Sequence, residues 1–121
     1  MSEVFKGLPR RIHIGYMTFR VVLTRADGPG DLGELDYGST DFTTGTIYLI
    51  ETLDLQQAFN TVIHEVRHAV HFTQGLEDEA TEEEFVNRGT NGEIEMWVRN
   101  PRFYLWQTRT LRALRKHYAK D

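Results

Sequence analysis

The sequence predicts an α+β fold in which a small antiparallel sheet of three or four strands comes first and three helices follow. Two observations predict it. Up to residue 51 the apolar residues come in short alternating or β-branched stretches cut by Gly, Pro and Asp, whereas from Asp54 onward they recur at spacings of three and four. A chain of 121 residues is also long enough to close one core without staples, so one domain, residues 1–121, is expected.

In chain order, RIHIGYMTFRVVLT at residues 11–24 alternates and is interrupted at Gly15, which reads as two strands joined by a tight turn. The stretch RADGPGDLGELDYGST, residues 25–40, concentrates Gly, Pro and Asp and reads as a loop. DFTTGTIYLIE then suits a third strand, with room for a fourth. From Asp54 to about Gln74, Leu55, Ala58, Phe59, Val62, Val66, Ala69 and Val70 form one helical stripe, stopped at Gly75. A second helix opens at Thr81 through a capping box with Glu84 and runs to Val98. Asn100-Pro101 breaks it, and a third, basic helix over about 102–119 carries Leu105, Trp106, Leu111 and Leu114 as its expected buried positions.

Composition removes several classes. There is no cysteine, hence no disulfide framework, thiolate zinc finger or thiol nucleophile, and any metal must be held by His and carboxylates. The N-terminus lacks the apolar run of a signal peptide, and nowhere do 18 apolar residues run together, so a cytoplasmic protein without a membrane partner is expected. Charge is uneven. Residues 1–98 carry 7 Lys/Arg against 17 Asp/Glu, a balance of −10, and residues 99–121 carry 7 against 1, a balance of +6. Such a basic segment either docks on the chain's own acidic surface or meets nucleic acid or an acidic partner.

The sharpest feature is His64-Glu65-Val66-Arg67-His68, an H-E-x-x-H motif in mid-helix. A spacing of four sets both imidazoles on one face, about 6 Å apart along the axis, where each can offer a ring nitrogen to one Zn²⁺. Glu65 between them is a carboxylate placed to take the proton of a water whose pKa the zinc lowers. With 5 His and 11 Glu in this length, random order gives about 0.02 such motifs per chain. Counting 100° per residue, His64 and His68 also point away from the apolar stripe. His71 extends the run, but it lies about 10 Å from His64 along the axis and is assigned no ligand role; a solvent-facing or capping histidine is the expectation, with a place at the rim of the site as the alternative.

A catalytic zinc needs a third protein ligand, and no histidine stands between His71 and His117, so a carboxylate is expected. Candidates cluster at Glu77, Asp78, Glu79, Glu82, Glu83 and Glu84. Glu84 is claimed by the capping box, and helical-wheel arithmetic does not separate Glu82 from Glu83. The acidic run also complements the positive end of the second helix's dipole, which is reason enough for any one of these residues.

These residues carry a resemblance. TVIHEVRHAVHF, a short Gly-Leu connection, EEEFVNR and a helix ending in NPRF are similar to the small phage and prophage H-E-x-x-H metallopeptidases, zincins with a SprT-like or ImmA/IrrE-like core, over about residues 11–106. The resemblance implies a zincin-like fold, a bacterial host cytoplasm, His64 and His68 as zinc ligands, Glu65 as general base, and a third-ligand glutamate in the next helix that falls on Glu83, with Val86 and Asn87 completing its pattern. The chain departs from SprT-like proteins in lacking their third histidine and cysteine zinc ribbon, so the glutamate-ligand type is the nearer comparison. It departs from the group also at Gly89 and Gly92, which weaken a helix.

The expected function is therefore zinc-dependent hydrolysis of peptide bonds in a peptide or protein substrate, which would lie along an edge strand near residues 46–50. Tyr37, Tyr48, His71 and Tyr104 are the chemically suitable oxyanion stabilisers, and spacing selects none. The alternative is a non-catalytic zincin scaffold whose basic C-terminal helix contacts DNA or a host protein.

Overall fold

The computed structural model describes residues 3–25, 37–76 and 81–119. After a short 3-10 turn, Glu3–Phe5, come strands β1 (Arg11–Ile14), β2 (Met17–Thr24), β3 (Gly38–Asp41) and β4 (Thr46–Ile50), then helices α1 (Leu55–Thr73), α2 (Glu82–Arg99) and α3 (Pro101–Ala119). The α+β class and the order of sheet before helices agree with the sequence. Among the described residues no helix is long and apolar enough to cross a membrane.

The sheet is mixed rather than antiparallel, with strand order β1-β2-β4-β3. The hairpin β1–β2 turns at Gly15, whose φ of 59° suits glycine. β3 and β4 form a second antiparallel pair, but β4 docks beside β2 in parallel. The 21 residues separating Thr24 from Thr46 are long enough for the crossover a parallel pair requires. Two expectations fall here. β3 lies in the stretch expected to be loop, and Thr46–Ile50 is an interior strand, so the edge strands of the sheet are β1 and β3.

Side chains at period two, Ile12, Ile14, Phe19, Ile47 and Leu49, are fully buried and meet Ala58, Val62, Val66, Ala69 and Val70 of α1. Burying each large apolar side chain contributes about 1.5–3 kcal/mol, so Phe19→Ala would cost about 3–5 kcal/mol. Asp54 caps α1 by accepting from the Gln57 amide at 2.8 Å, while the Gln57 side chain returns the bond. Thr81 caps α2 through the Glu84 amide at 3.2 Å. In α3 the buried stripe is Phe103, Trp106, Thr110 and Leu114; Leu105 and Leu111, expected inside, are exposed.

Asn100 sets the elbow between α2 and α3. Its buried side chain accepts from the His13 amide at 2.7 Å and donates to the His13 and Met96 carbonyls at 2.6 Å each. It thus satisfies backbone groups on the free edge of β1 and fixes both helices to the sheet. The N-terminal turn is held to α3 by Trp106, whose indole N–H donates to the Val4 carbonyl at 3.1 Å.

Candidate metal centre

α1 carries both histidines on its exposed face, one turn apart, because its apolar stripe is committed to the sheet. Their Nε2 atoms lie 3.0 Å apart, with ring planes at 81°. Two nitrogens at about 2.0–2.1 Å from one tetrahedral ion stand about 3.4 Å apart, so the pair fits two corners of a zinc site after a shift of a few tenths of an ångström. The pair opens onto a hollow of about 530 Å³ with Arg67 and His71 beside it and Phe59 and Ile63 as its apolar wall.

Glu65 is turned elsewhere. It is 6% exposed and accepts a hydrogen bond from the Thr40 hydroxyl of β3 at 2.8 Å. On the helix it stands about 100° from His64 and about 60° from His68, so its carboxylate sits beneath the sheet edge, at the margin of the pair and outside the hollow's lining. β3 can close this tightly because Gly38 has no side chain: a Cβ there would meet Thr61 Cγ2 at 2.6 Å and the Tyr48 carbonyl at 3.0 Å.

α2 runs roughly antiparallel to α1. Gly89 lies against His71, Gly92 against Val70 and Gln74, and Glu93 against Arg67, with Oε1 3.2 Å from Nε. Glu83 stands ten positions before Glu93 on α2, so it lies on the order of 13 Å past His68 along the axis. Glu82, Glu83 and Glu84 are all exposed in the first turn of α2, and the structure does not bring them beside the pair. Glu77, Asp78 and Glu79 lie outside the described residues. Among the described residues no three His, Asp or Glu side chains converge on one point.

Two residues near the site carry no warning in the sequence, Thr40 and Glu93. Nothing in a Gly-Ser-Thr-Asp strand announces Thr40. Nor does the sequence announce Glu93, whose place opposite Arg67 depends on how α2 docks against α1.

His71 is not the solvent-facing histidine expected first: it stands at the rim of the hollow, half-buried, and its ring meets Phe85 edge-to-face at 5.4 Å. Burial, then the neighbouring His68 and Arg67, hold its pKa below the ordinary 6.5 despite the opposing Glu93 carboxylate. Of the four candidate oxyanion groups only His71 lines the hollow. The Tyr37 hydroxyl accepts from Gln57 at 3.2 Å near the start of α1, Tyr48 packs against the core, and Tyr104 stands edge-on to Trp97 on α3. Compared with protein-family models, with curated proteins and with solved structures, the chain matches none.

Proposed function

We propose that this chain is a zinc-dependent peptidase of zincin type. The observation that carries the reading is the approach of the His64 and His68 Nε2 atoms to 3.0 Å on an open helix face, with a buried carboxylate on the residue between them. His64 and His68 would hold the ion. The third position falls to a carboxylate of α2: Glu93 by its place opposite Arg67, or Glu83 by the resemblance, which would require the first turn of α2 to move toward the pair.

Bound zinc supplies Lewis acidity toward a peptide carbonyl and makes water a better proton donor. The protein's own part is proton handling and placement. Glu65 accepts a proton from water and returns it to the departing amine, and the Thr40 hydroxyl holds the carboxylate in place for both transfers. Since Thr46–Ile50 is interior, an extended substrate would add to the outer edge of β3, the strand that reaches Glu65. Phe59 and Ile63 offer its side chains an apolar wall.

The test is metal content together with peptide cleavage in the unmutated chain and in E65Q, H68A, E83Q and E93Q. The proposal expects one zinc per chain, lost in H68A and in one of the two α2 variants, and retained in E65Q with cleavage abolished. A chain that takes up no zinc on incubation, or an E65Q variant that cleaves as fast as the unmutated chain, overturns it.

A further inference from the structure

A second concavity, of about 970 Å³, lies between the N-terminal segment and the α2–α3 elbow and shares no lining residue with the histidine hollow. One wall carries Arg10 and Arg11, the other Arg99, Arg102 and Arg109, all exposed. Arg99 is engaged, bonding the Gly15 carbonyl at 2.6 Å and Glu95 at 3.2 Å. Among the described residues the other four have no carboxylate within 4.0 Å, and no acidic residue lines the groove. α3 begins on the same wall at Pro101, adding the positive end of its dipole.

We propose that this groove binds the backbone of single-stranded nucleic acid. Four guanidiniums that face one another across a channel, with no carboxylate partner among the described residues, concentrate positive potential there on a chain of net charge −4. The chemistry separates the candidate polyanions. An acidic peptide brings backbone N–H donors that need acceptors, but the one amide side chain in the lining, Asn100, is committed to His13 and Met96. A phosphodiester chain brings acceptors alone, which suits a lining rich in donors. Guanidinium planes and the half-exposed Leu105 then offer surfaces for unstacked bases. The site uses Arg10 and Arg11 from the chain's start, and it does not include Arg112, Arg115 or Lys116 on the distal half of α3.

Fluorescence anisotropy with a labelled 15-mer of oligothymidylate tests this, with a 15-residue polyglutamate peptide alongside. The oligonucleotide should bind at 50 mM salt, with log K falling against log salt at a slope of about −2 or steeper, since each phosphate contact in a single strand contributes about −0.7. R102A/R109A should weaken binding at least tenfold and flatten the slope by about 1.4. R102K/R109K, which keeps the charge, should recover part of it. R112A/R115A/K116A and H64A should bind within about twofold of the unmutated chain, so failure of the peptidase reading leaves this one standing. Absence of binding at 50 mM salt overturns the proposal. So does unchanged binding by R102A/R109A at an unchanged melting temperature, or tighter binding of polyglutamate, which would make the groove a dock for an acidic protein segment.

Discussion

The Thr40 hydroxyl donates to Glu65 Oε1 across 2.8 Å, joining the edge strand of the sheet to the helix that carries the histidine pair. A carboxylate only 6% exposed must keep a donor, because an unmet buried acceptor costs about 1–3 kcal/mol. T40V should therefore lower stability by about that amount; if Glu65 is the base proposed above, T40V should also lower kcat with little change in KM, since the hydroxyl then touches the base and not the substrate. T40S should restore both. Urea denaturation and steady-state kinetics on the three proteins check this; a T40V variant with unchanged kcat would leave Thr40 a purely structural role.

Gly89 and Gly92 both lower helix propensity, and the structure separates them. A Cβ on Gly92 would lie 2.9 Å from Val70 Cγ1 and 2.8 Å from Gln74 Cγ, whereas one on Gly89 meets nothing closer than 3.7 Å. Both changes to Ala gain about 1 kcal/mol of helix propensity. G89A should keep that gain and melt higher, while G92A, forced against Val70, should lose about 1–3 kcal/mol to overpacking and melt lower. Thermal denaturation of the two variants gives opposite signs if the helices pack as described.

Asn100 offers a sharper stability test because three bonds converge on one buried amide. N100D keeps the shape but cannot donate to the His13 and Met96 carbonyls, and it brings a charge into a buried position. N100A removes all three bonds and leaves a buried N–H and two carbonyls unmet. Each variant should lose at least about 2–4 kcal/mol, N100D the more at neutral pH, as read from urea midpoints.

What could be read in the sequence follows the range of the interactions involved. Helix ends were legible because they are local: Asp54 and Thr81 cap their own helices, and Gly75 takes a φ of 69° to close α1. The histidine pair was legible because four residues of helix fix its geometry whatever the rest of the chain does. β3 was not, since Gly38-Ser39-Thr40-Asp41 has no apolar alternation and is a strand only by pairing with β4. The parallel β2–β4 pairing and the place of Glu93 opposite Arg67 depend on how distant segments dock, which periodicity does not encode.

His71 gives the fold a pH dependence of definite sign. Its pKa in the folded chain is lowered, by burial first and then by His68 and Arg67, so between that value and 6.5 the unfolded chain binds more protons than the folded one. The stability at stake is fully present above about 6.5 and is lost as pH falls through the folded-state value. In chelated protein, urea midpoints should drop between pH 7.5 and pH 5, and H71Q should flatten the part of that drop due to this side chain. An identical pH profile in H71Q would show that His71 titrates alike in both states.

Arg67 stands in the hollow beside His64 and His68 while its Nε meets Glu93 at 3.2 Å, so it opposes a cation there twice, by its own charge and by holding a carboxylate. Its side chain is 62% exposed and its ion pair is worth at most about 1 kcal/mol, so R67Q should fold normally. If the pair holds zinc as proposed, removing the guanidinium should tighten that binding several-fold, measured by competition with a chromogenic chelator. If Glu93 completes the ligand set, E93Q should weaken zinc binding and the R67Q/E93Q pair should be strongly non-additive, because the benefit of removing Arg67 then depends on the carboxylate it releases. If Glu83 completes it, R67Q should still tighten binding through charge alone and the two substitutions should add.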